Sequence, residues 1–202
     1  MDLRLAQTIQ PVKLALINAA QKSIKRHLFV YQDKITCKPG CHSCCSRMII
    51  ITIAEAVVIH DYLVSTNKWF DTREKAKNQA KLADDANYVA WFKMNIKCPV
   101  LNEKTGLCQS YKYRPAICSV HFVKSDPKLC DPWSAQRGGY DPLDMSDLYE
   151  EFSKTLKNLV DPFGIFNIRV PLPIALLIAE RIQIQSNLEI HKVISLLHQE
   201  LK

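Results

Sequence analysis

Glycine is scarce in this sequence of 202 residues, with only five, and no stretch is long or polar enough to indicate disorder. Long apolar runs are also missing. The most apolar stretch, residues 170–179, is interrupted by Pro171 and Pro173 and falls short of the roughly 18 residues that span a bilayer. The first residues carry charge early and lack the apolar core and cleavage site of a secretory signal. We therefore expect an ordered cytoplasmic protein that does not act at a membrane.

Several common catalytic motifs are absent as well. The sequence has no glycine-rich phosphate loop, no HExxH zinc-protease motif and no nucleophile elbow. The sequence does not decide whether the chain is an enzyme, and it offers no catalytic residue by motif.

Cysteine, in contrast, is abundant. In a reducing compartment, eight cysteines argue against disulfides and for metal or redox chemistry. One or two of them could instead be small buried apolar residues, most plausibly Cys130 or one member of the pair Cys44–Cys45. The candidate metal ligands are Cys37, Cys41, Cys44, Cys45, Cys98, Cys108, Cys118 and Cys130.

The first four cysteines form a C-x3-C-x2-C-C cluster. Spacings of two or three residues allow a turn to aim two thiolates at one ion about 2.3 Å away, and soft thiolates select zinc or an iron–sulfur cluster. Neighbouring side chains point apart, so Cys44–Cys45 indicates two metals, a polynuclear cluster, or one ligand beside a free thiol. His42 and His121 are further candidates that could replace a thiolate.

The order of these elements resembles the CxxCxxCC cysteine-cluster family, described as a zinc- or iron-chelating domain. The resemblance covers about residues 37–121. Its first half is Cys37 to Cys45, followed by the helix start Thr52-Ile53-Ala54-Glu55-Ala56. Its second half has the elements C-P-x-L at Cys98, G-x-C-x-x-Y at Gly106 and R-P-x-x-C at Arg114. One extra residue lies between Cys37 and Cys41, which is a departure from the family spacing.

The resemblance implies chelation of zinc or iron. Some relatives with this domain are flagellin lysine N-methylases, which are longer, so the resemblance also allows a protein-modifying role. This sequence shows no separate S-adenosylmethionine motif. The resemblance defines the site better than the activity.

The pattern of apolar residues predicts a mainly α fold, a single domain over residues 1–202 whose helices are joined by irregular cysteine-bearing loops organised around a metal centre. The motif core covers 37–121. Capping boxes at Thr52 and Asp71 predict helices to about Ser65 and Met94. Residues 96–142 look mostly irregular, and a bound metal would organise them. The other predicted helices cover 3–26, 144–159, 173–184 and 188–201, so the C-terminal helices span 144–201.

The charge is unevenly distributed. Of the net +7, residues 141–161 carry −4 and residues 162–202 carry +1, which leaves +10 on residues 1–140. This basic part could meet an acidic partner such as nucleic acid or an acidic protein surface, or it could be a solvated basic face.

Two residues near the motif have alternative interpretations. Arg114 could hydrogen-bond the sulfurs as an outer-shell partner, bind an anion, or form a structural salt bridge. Glu55 is expected to cap a helix, and a role as a base beside a metal is the alternative.

Two functions follow from the sequence. The first is a protein that binds zinc, iron or an iron–sulfur cluster, with a redox or protein-modifying role. The second is a structural zinc module that binds a protein or a nucleic acid.

Overall fold

A computed structural model describes residues 22, 25–26, 28–38, 40–85, 88–131, 139–160 and 168–184. Helices dominate this part of the chain, in agreement with the predicted mainly α fold. The α-helices are α1 (Ile53–Ser65), α2 (Trp69–Asp85), α3 (Tyr88–Met94), α4 (Ala116–Ser119), α5 (Ser146–Val160) and α6 (Leu172–Ile184). Short 3₁₀ helices cover Gln32–Lys34, Ser43–Ser46, Tyr111–Tyr113 and Pro127–Cys130.

The strands are short and form two antiparallel pairs. They are β1 (Ile50–Thr52), β2 (Leu101–Asn102), β3 (Leu107–Cys108) and β4 (Arg169–Pro171). Strand β1 pairs with β4, with Ile51 opposite Val170, and β2 pairs with β3. Each strand of the first pair runs directly into a helix, β1 into α1 and β4 into α6. The pair therefore holds the starts of two helices side by side, although they are far apart in the sequence.

The start of α1 confirms the capping box predicted at Thr52. The Thr52 hydroxyl accepts a hydrogen bond from the Glu55 amide (3.2 Å), and Glu55 Oε2 accepts one from the Thr52 amide (3.0 Å). Two amides of the first turn thus gain partners. The helix ends at Ser65, as predicted, and Asn67 then turns the chain with φ 55°.

The main core lies where α6 packs against α1 and α2. Ala76 and Ala80 of α2 and Ala175 and Ala179 of α6 are fully buried, and each pair is spaced four residues apart on one helix face. Small side chains in these positions allow close helix packing. Glu180 joins α6 to α2, because it accepts hydrogen bonds from Trp69 Nε1 (2.9 Å) and Arg73 Nε (2.6 Å).

The capping box predicted at Asp71 is wrong. Helix α2 begins at Trp69, so Asp71 already lies in its first turn. The amide and the hydroxyl of the buried Thr72 both donate to the Lys68 carbonyl, at 3.3 and 2.9 Å. Tertiary contacts set this start, since Trp69 packs against the core and its indole binds Glu180. The helix predicted to run to Met94 is described as α2 and α3, with residues 86 and 87 outside the described part.

Residues 96–131 and 139–142 are mostly irregular, as predicted, with only two-residue strands and short helical turns. A second, smaller core closes this region against α5. Its buried members are Val120, Leu143, Met145 and Leu148.

The predicted helix at 144–159 is present as α5, and that at 173–184 as α6. The helix predicted over 188–201 lies outside the described residues, and so does most of the one predicted over 3–26. Within the described ranges, no helix has the length and apolar character needed to cross a membrane.

Candidate metal centre

The first half of the cysteine motif is a chain of tight turns. The Cys41 amide donates to the Lys38 carbonyl (3.0 Å), and the Cys45 amide donates to the His42 carbonyl (2.9 Å). Cys44 and Cys45 lie in the 3₁₀ helix Ser43–Ser46. All eight cysteines are free thiols. The turns therefore bring four thiols close together in a short segment, as their spacing predicted.

A glycine contact joins this segment to the second half of the motif. Gly106 has φ +68°, and a Cβ at this position would lie 2.8 Å from His42 Nδ1. His42 Nδ1 is itself 3.0 Å from the Gly40 carbonyl oxygen. The glycine of the G-x-C element is thus required both by its backbone conformation and by the imidazole that packs against it.

The cysteines at 98 and 108 lie beside the first cluster. The Cys98 amide donates to the Cys45 carbonyl at 2.7 Å, which joins the two halves of the motif directly. The β2–β3 pairing then places Cys108 opposite Leu101, three residues after Cys98. Both side chains also pack against the main core.

Backbone amides point at these two sulfurs. The Cys98 sulfur accepts from the amides of Val100 and Leu101, and the Cys108 sulfur accepts from the amide of Ser110. Such donors stabilise a thiolate and are typical outer-shell partners of thiolate-bound metals. The sequence did not predict these amide donors, although Val100 and Leu101 belong to the C-P-x-L element that begins at Cys98.

Glu55 holds the segment that carries Cys118. In addition to the capping box, its Oε1 accepts a hydrogen bond from the Ala116 amide (2.8 Å) at the start of α4. Both carboxylate oxygens are therefore engaged by backbone or hydroxyl donors. This confirms the expected cap and assigns Glu55 a structural role. The link to Ala116 spans 61 residues and was not foreseen.

Residues 123–130 contact the first half of the motif at two points. The 3₁₀ helix Pro127–Cys130 packs against the 3₁₀ helix Ser43–Ser46, and Cys130 is only 3% exposed. The Cys37 sulfur accepts from the Val123 amide. The Thr36 amide donates to the Val123 carbonyl at 3.1 Å, which fixes this approach.

The thiols modify one another electrostatically. Burial raises the pKa of Cys98 to about 12 and that of Cys130 to about 11, and it holds the pKa of Cys118 well above its usual value. A hydrogen bond between the adjacent thiols lowers the pKa of Cys44 and raises that of Cys45. Most of these thiols are therefore protonated at neutral pH without a metal.

Cys44 is the centre of this group. Negative charge on Cys44 raises the pKa of six other thiols from both halves of the motif: Cys37, Cys45, Cys98, Cys108, Cys118 and Cys130. The structure thus brings these candidates within electrostatic range of one another. Cys41 belongs to the group too, since its charge raises the pKa of Cys37 and Cys130.

Two arginines supply positive charge to this group. The Arg114 guanidinium lies 4.4 Å from the centroid of the Tyr111 ring, and the Arg47 guanidinium lies 4.4 Å from that of Tyr140. Both lower the pKa of Cys44. Arg114 therefore acts on the thiols electrostatically, and a hydrogen bond from its guanidinium to a sulfur stays a prediction.

The chemistry of the donors fits zinc or iron, because every gathered group is a soft thiol without a disulfide partner. In the described part of the chain, no three His, Cys, Asp or Glu side chains already have ligating geometry. Metal binding would therefore require thiol rotation to bring sulfurs to about 2.3 Å. Ligation by each of the eight cysteines stays a prediction.

His121 is a further candidate ligand, three residues after Cys118. Burial lowers its pKa, so the imidazole is neutral. Its Nε2 is buried without a hydrogen-bond partner among the described residues, and its ring packs edge-on against Tyr140 at 5.5 Å. These features are compatible with a ligand, and its ligation also stays a prediction.

Comparison with known proteins agrees with this chemistry. One family model matches residues 36–135; it is the CxxCxxCC family, described as "putative zinc- or iron-chelating domain". No curated protein and no solved structure gives a significant match. The match covers all eight cysteines and the segments that gather them. These residues of the chain match the CxxCxxCC family.

Proposed function

We propose that the chain binds zinc or iron through its thiolates and that this centre holds the two halves of the cysteine motif together. One observation carries the proposal: the Cys98 amide donates to the Cys45 carbonyl at 2.7 Å, where thiols from both halves gather. The segments around it have few regular hydrogen bonds of their own. A bound metal would stabilise their arrangement, since structural zinc contributes on the order of 10 kcal/mol.

The type of metal decides the chemistry. Zinc would supply a structural cross-link, and an iron–sulfur cluster would supply electron transfer. The chain's own contribution is the same in both cases: the backbone amides of Val100, Leu101 and Ser110 donate hydrogen bonds to the sulfurs of Cys98 and Cys108.

The test is metal analysis combined with a visible spectrum, on protein purified without oxygen. Zinc without colour would support the structural role. Iron with broad visible absorption would favour a redox or protein-modifying role. Protein that carries neither metal, and takes up neither when reduced and supplied with them, would refute the proposal.

A second candidate function is partner binding next to the centre. Leu107, Tyr111 and Ile117 are 52%, 60% and 37% exposed, although they lie in the segment that carries Cys108 and Cys118. Exposed apolar side chains favour a protein partner, and the charge of +10 on residues 1–140 also allows nucleic acid.

Binding assays can distinguish these partners. Nucleic-acid binding would weaken steeply with salt, because released counterions drive it. Protein binding through this segment would be lost in Tyr111→Ser and kept in Phe70→Ser, a control at a side chain on α2 that is 76% exposed. If neither substitution changes partner binding, the segment is not the contact surface.

A further inference from the structure

The two halves of the cysteine motif meet at two adjacent hydrogen bonds. The Cys98 amide donates to the Cys45 carbonyl at 2.7 Å. Beside it, the Lys97 ammonium donates to the Ser46 hydroxyl at 2.8 Å, and Ser46 is fully buried. Two neighbouring residues of one half thus bind two neighbouring residues of the other, and neither bond involves a sulfur atom. The halves are therefore in contact through groups that need no metal.

The ammonium of Lys97 is held from a second side. It also donates to Asn95 Oδ1 at 3.0 Å. Asn95 has φ 52°, a left-handed conformation, and lies directly after α3, which ends at Met94. The Lys97 side chain is half-buried, so the hydrogen bonds of its charged donor are stronger than those of an exposed lysine would be. Lys97 therefore links the turn after α3 to the first half of the motif.

Helix α2 holds the backbone on both sides of Cys98. Gln79 Nε2 donates to the Lys97 carbonyl at 2.8 Å, and Lys75 Nζ donates to the Leu101 carbonyl at 3.1 Å. Lys75 and Gln79 are four positions apart, so they lie on one face of the helix. Since α2 also packs against α6 in the main core, residues 97–101 are attached to the helical core of the protein.

We propose that Lys97 and Gln79 are positioning residues, which hold the Cys98 backbone against the first half of the motif before a metal binds. This inference rests on the proposed function, because it concerns the assembly of the same thiol site. Cys45 and Cys98 are 53 positions apart, and closing a loop of that length costs conformational entropy. The polar contacts offset part of this cost in advance. The metal therefore enters a partly assembled site and binds it more tightly.

The first test is the zinc affinity of variants that lose one donor. The reduced, metal-free full chain is supplied with Zn²⁺ in competition with a coloured chelator, without oxygen. Lys97→Met and Gln79→Leu keep the length of the side chain, and we expect each to weaken zinc binding roughly 10–100-fold, as is typical when an outer-shell partner is lost. Lys97→Arg keeps a charged donor and should recover part of the affinity. Lys104→Met, at an exposed lysine between β2 and β3, should leave the affinity unchanged.

A second measurement separates positioning from a general loss of stability. Leu176→Val removes one methylene group from the fully buried main core, so it lowers the stability of the fold without changing the contacts of Lys97. In the metal-free chain, we expect Lys97→Met to speed hydrogen exchange of the Cys98 amide at least about tenfold, because the amide loses its neighbouring restraint. Leu176→Val should change this exchange and the zinc affinity much less.

Three results would overturn the inference. Equal zinc affinity in Lys97→Met and the wild type would remove the positioning role and leave metal binding intact. Equal losses of affinity in Lys97→Met and Leu176→Val would show that Lys97 acts only through the overall stability of the fold. No zinc or iron uptake by the wild type would refute the proposed function itself, and this inference with it.

Discussion

At the scale of single residues, Gly106 and Gly40 offer a matched comparison. Both have positive φ, +68° and +85°, so alanine at either costs about 1–2 kcal/mol in backbone strain. Only at Gly106 would the added methyl group meet the His42 imidazole. We expect Gly106→Ala to destabilise the chain by up to about 1 kcal/mol more than Gly40→Ala, because the His42–Gly40 hydrogen bond is lost. Urea unfolding measures the difference.

The same comparison in a His42→Ala background checks the cause. Without the imidazole, the two glycine substitutions should cost nearly the same free energy of unfolding. A difference that persists in this background would show that the Gly106 backbone, and not its contact with His42, makes the position special.

Glu55 is the second residue whose role depends on a distant contact. Glu55→Ala should cost about 2–4 kcal/mol, the sum of a lost cap and a lost hydrogen bond to the Ala116 amide. It should also speed transfer of metal to a coloured chelator, because α4 carries Cys118. Thr52→Ala removes only the hydroxyl of the capping box, so it should cost about 1 kcal/mol without changing metal transfer. Equal transfer rates in both variants would show that α4 does not depend on Glu55.

The sequence predicts contacts between residues that are close together in the chain, but not contacts between distant residues. The Thr52–Glu55 box follows from four consecutive residues and was predicted correctly. The bond from Glu55 to Ala116 and the contact of His42 with Gly106 join residues more than 60 positions apart, and no periodicity indicates them. The cysteine spacing predicts the type of site, whereas the partners of each thiol follow only from the packing of the 3₁₀ helices.

At the scale of elements, the chain divides into a helical core and a cysteine region of different stability. Helices α1, α2 and α6 bury mainly apolar faces against one another, whereas residues 96–131 have only two-residue strands and short helical turns. Ordering a backbone costs roughly 1–2 kcal/mol per residue in conformational entropy. A bound metal would contribute the stabilising free energy that the few regular hydrogen bonds of this region do not provide.

Metal removal should therefore loosen the cysteine region first. After chelation, we expect faster amide hydrogen exchange in 96–131 and little change in α1, α2 and α6. Cys118→Ser should mimic the effect, because a hydroxyl is a poor ligand for a metal that prefers thiolate. Unchanged exchange in 96–131 after complete metal removal would mean that this region is ordered without the metal.

The sequence predicted α1 from its capping box and α5 from its apolar periodicity. Its predictions failed where tertiary contacts set the start of an element. The start of α2 moved from the region of Asp71 to Trp69, whose indole binds Glu180 of α6. Strands of two or three residues carry too little pattern to be recognised, so the β1–β4 pairing was missed.

At the scale of the whole molecule, a rise in pH should destabilise the metal-free chain and strengthen metal binding. Burial raises the pKa of Cys98 to about 12 and that of Cys130 to about 11, from an ordinary 9.0. A group with a raised pKa stabilises the fold below its unfolded pKa, and this contribution is lost as the pH rises through the folded value. The metal-free chain should thus lose stability between about pH 9 and 12.

Metal binding displaces the same protons, so metal affinity should rise with pH, roughly tenfold per pH unit for each proton displaced. Thermal unfolding from pH 7 to 11, with and without Zn²⁺, measures both trends. In the metal-free state, Cys98→Ala should reduce the alkaline loss, which separates the thiol from lysine and tyrosine titration. Equal pH profiles of the metal-free wild type and this variant would contradict the assignment.

The β1–β4 pairing also has a consequence for the speed of folding. Ile51 and Val170 are 119 positions apart, so residues 96–131, which carry the second half of the cysteine motif, lie inside the loop that this pairing closes. Closing so long a loop is slow, and a metal already bound between Cys44 or Cys45 and Cys118 would shorten it. This cross-link lowers the free-energy cost of closing the loop by about 0.5–1 kcal/mol. Zinc should therefore accelerate refolding a few-fold in stopped-flow experiments, whereas a metal that acts only after the core has formed would slow unfolding alone.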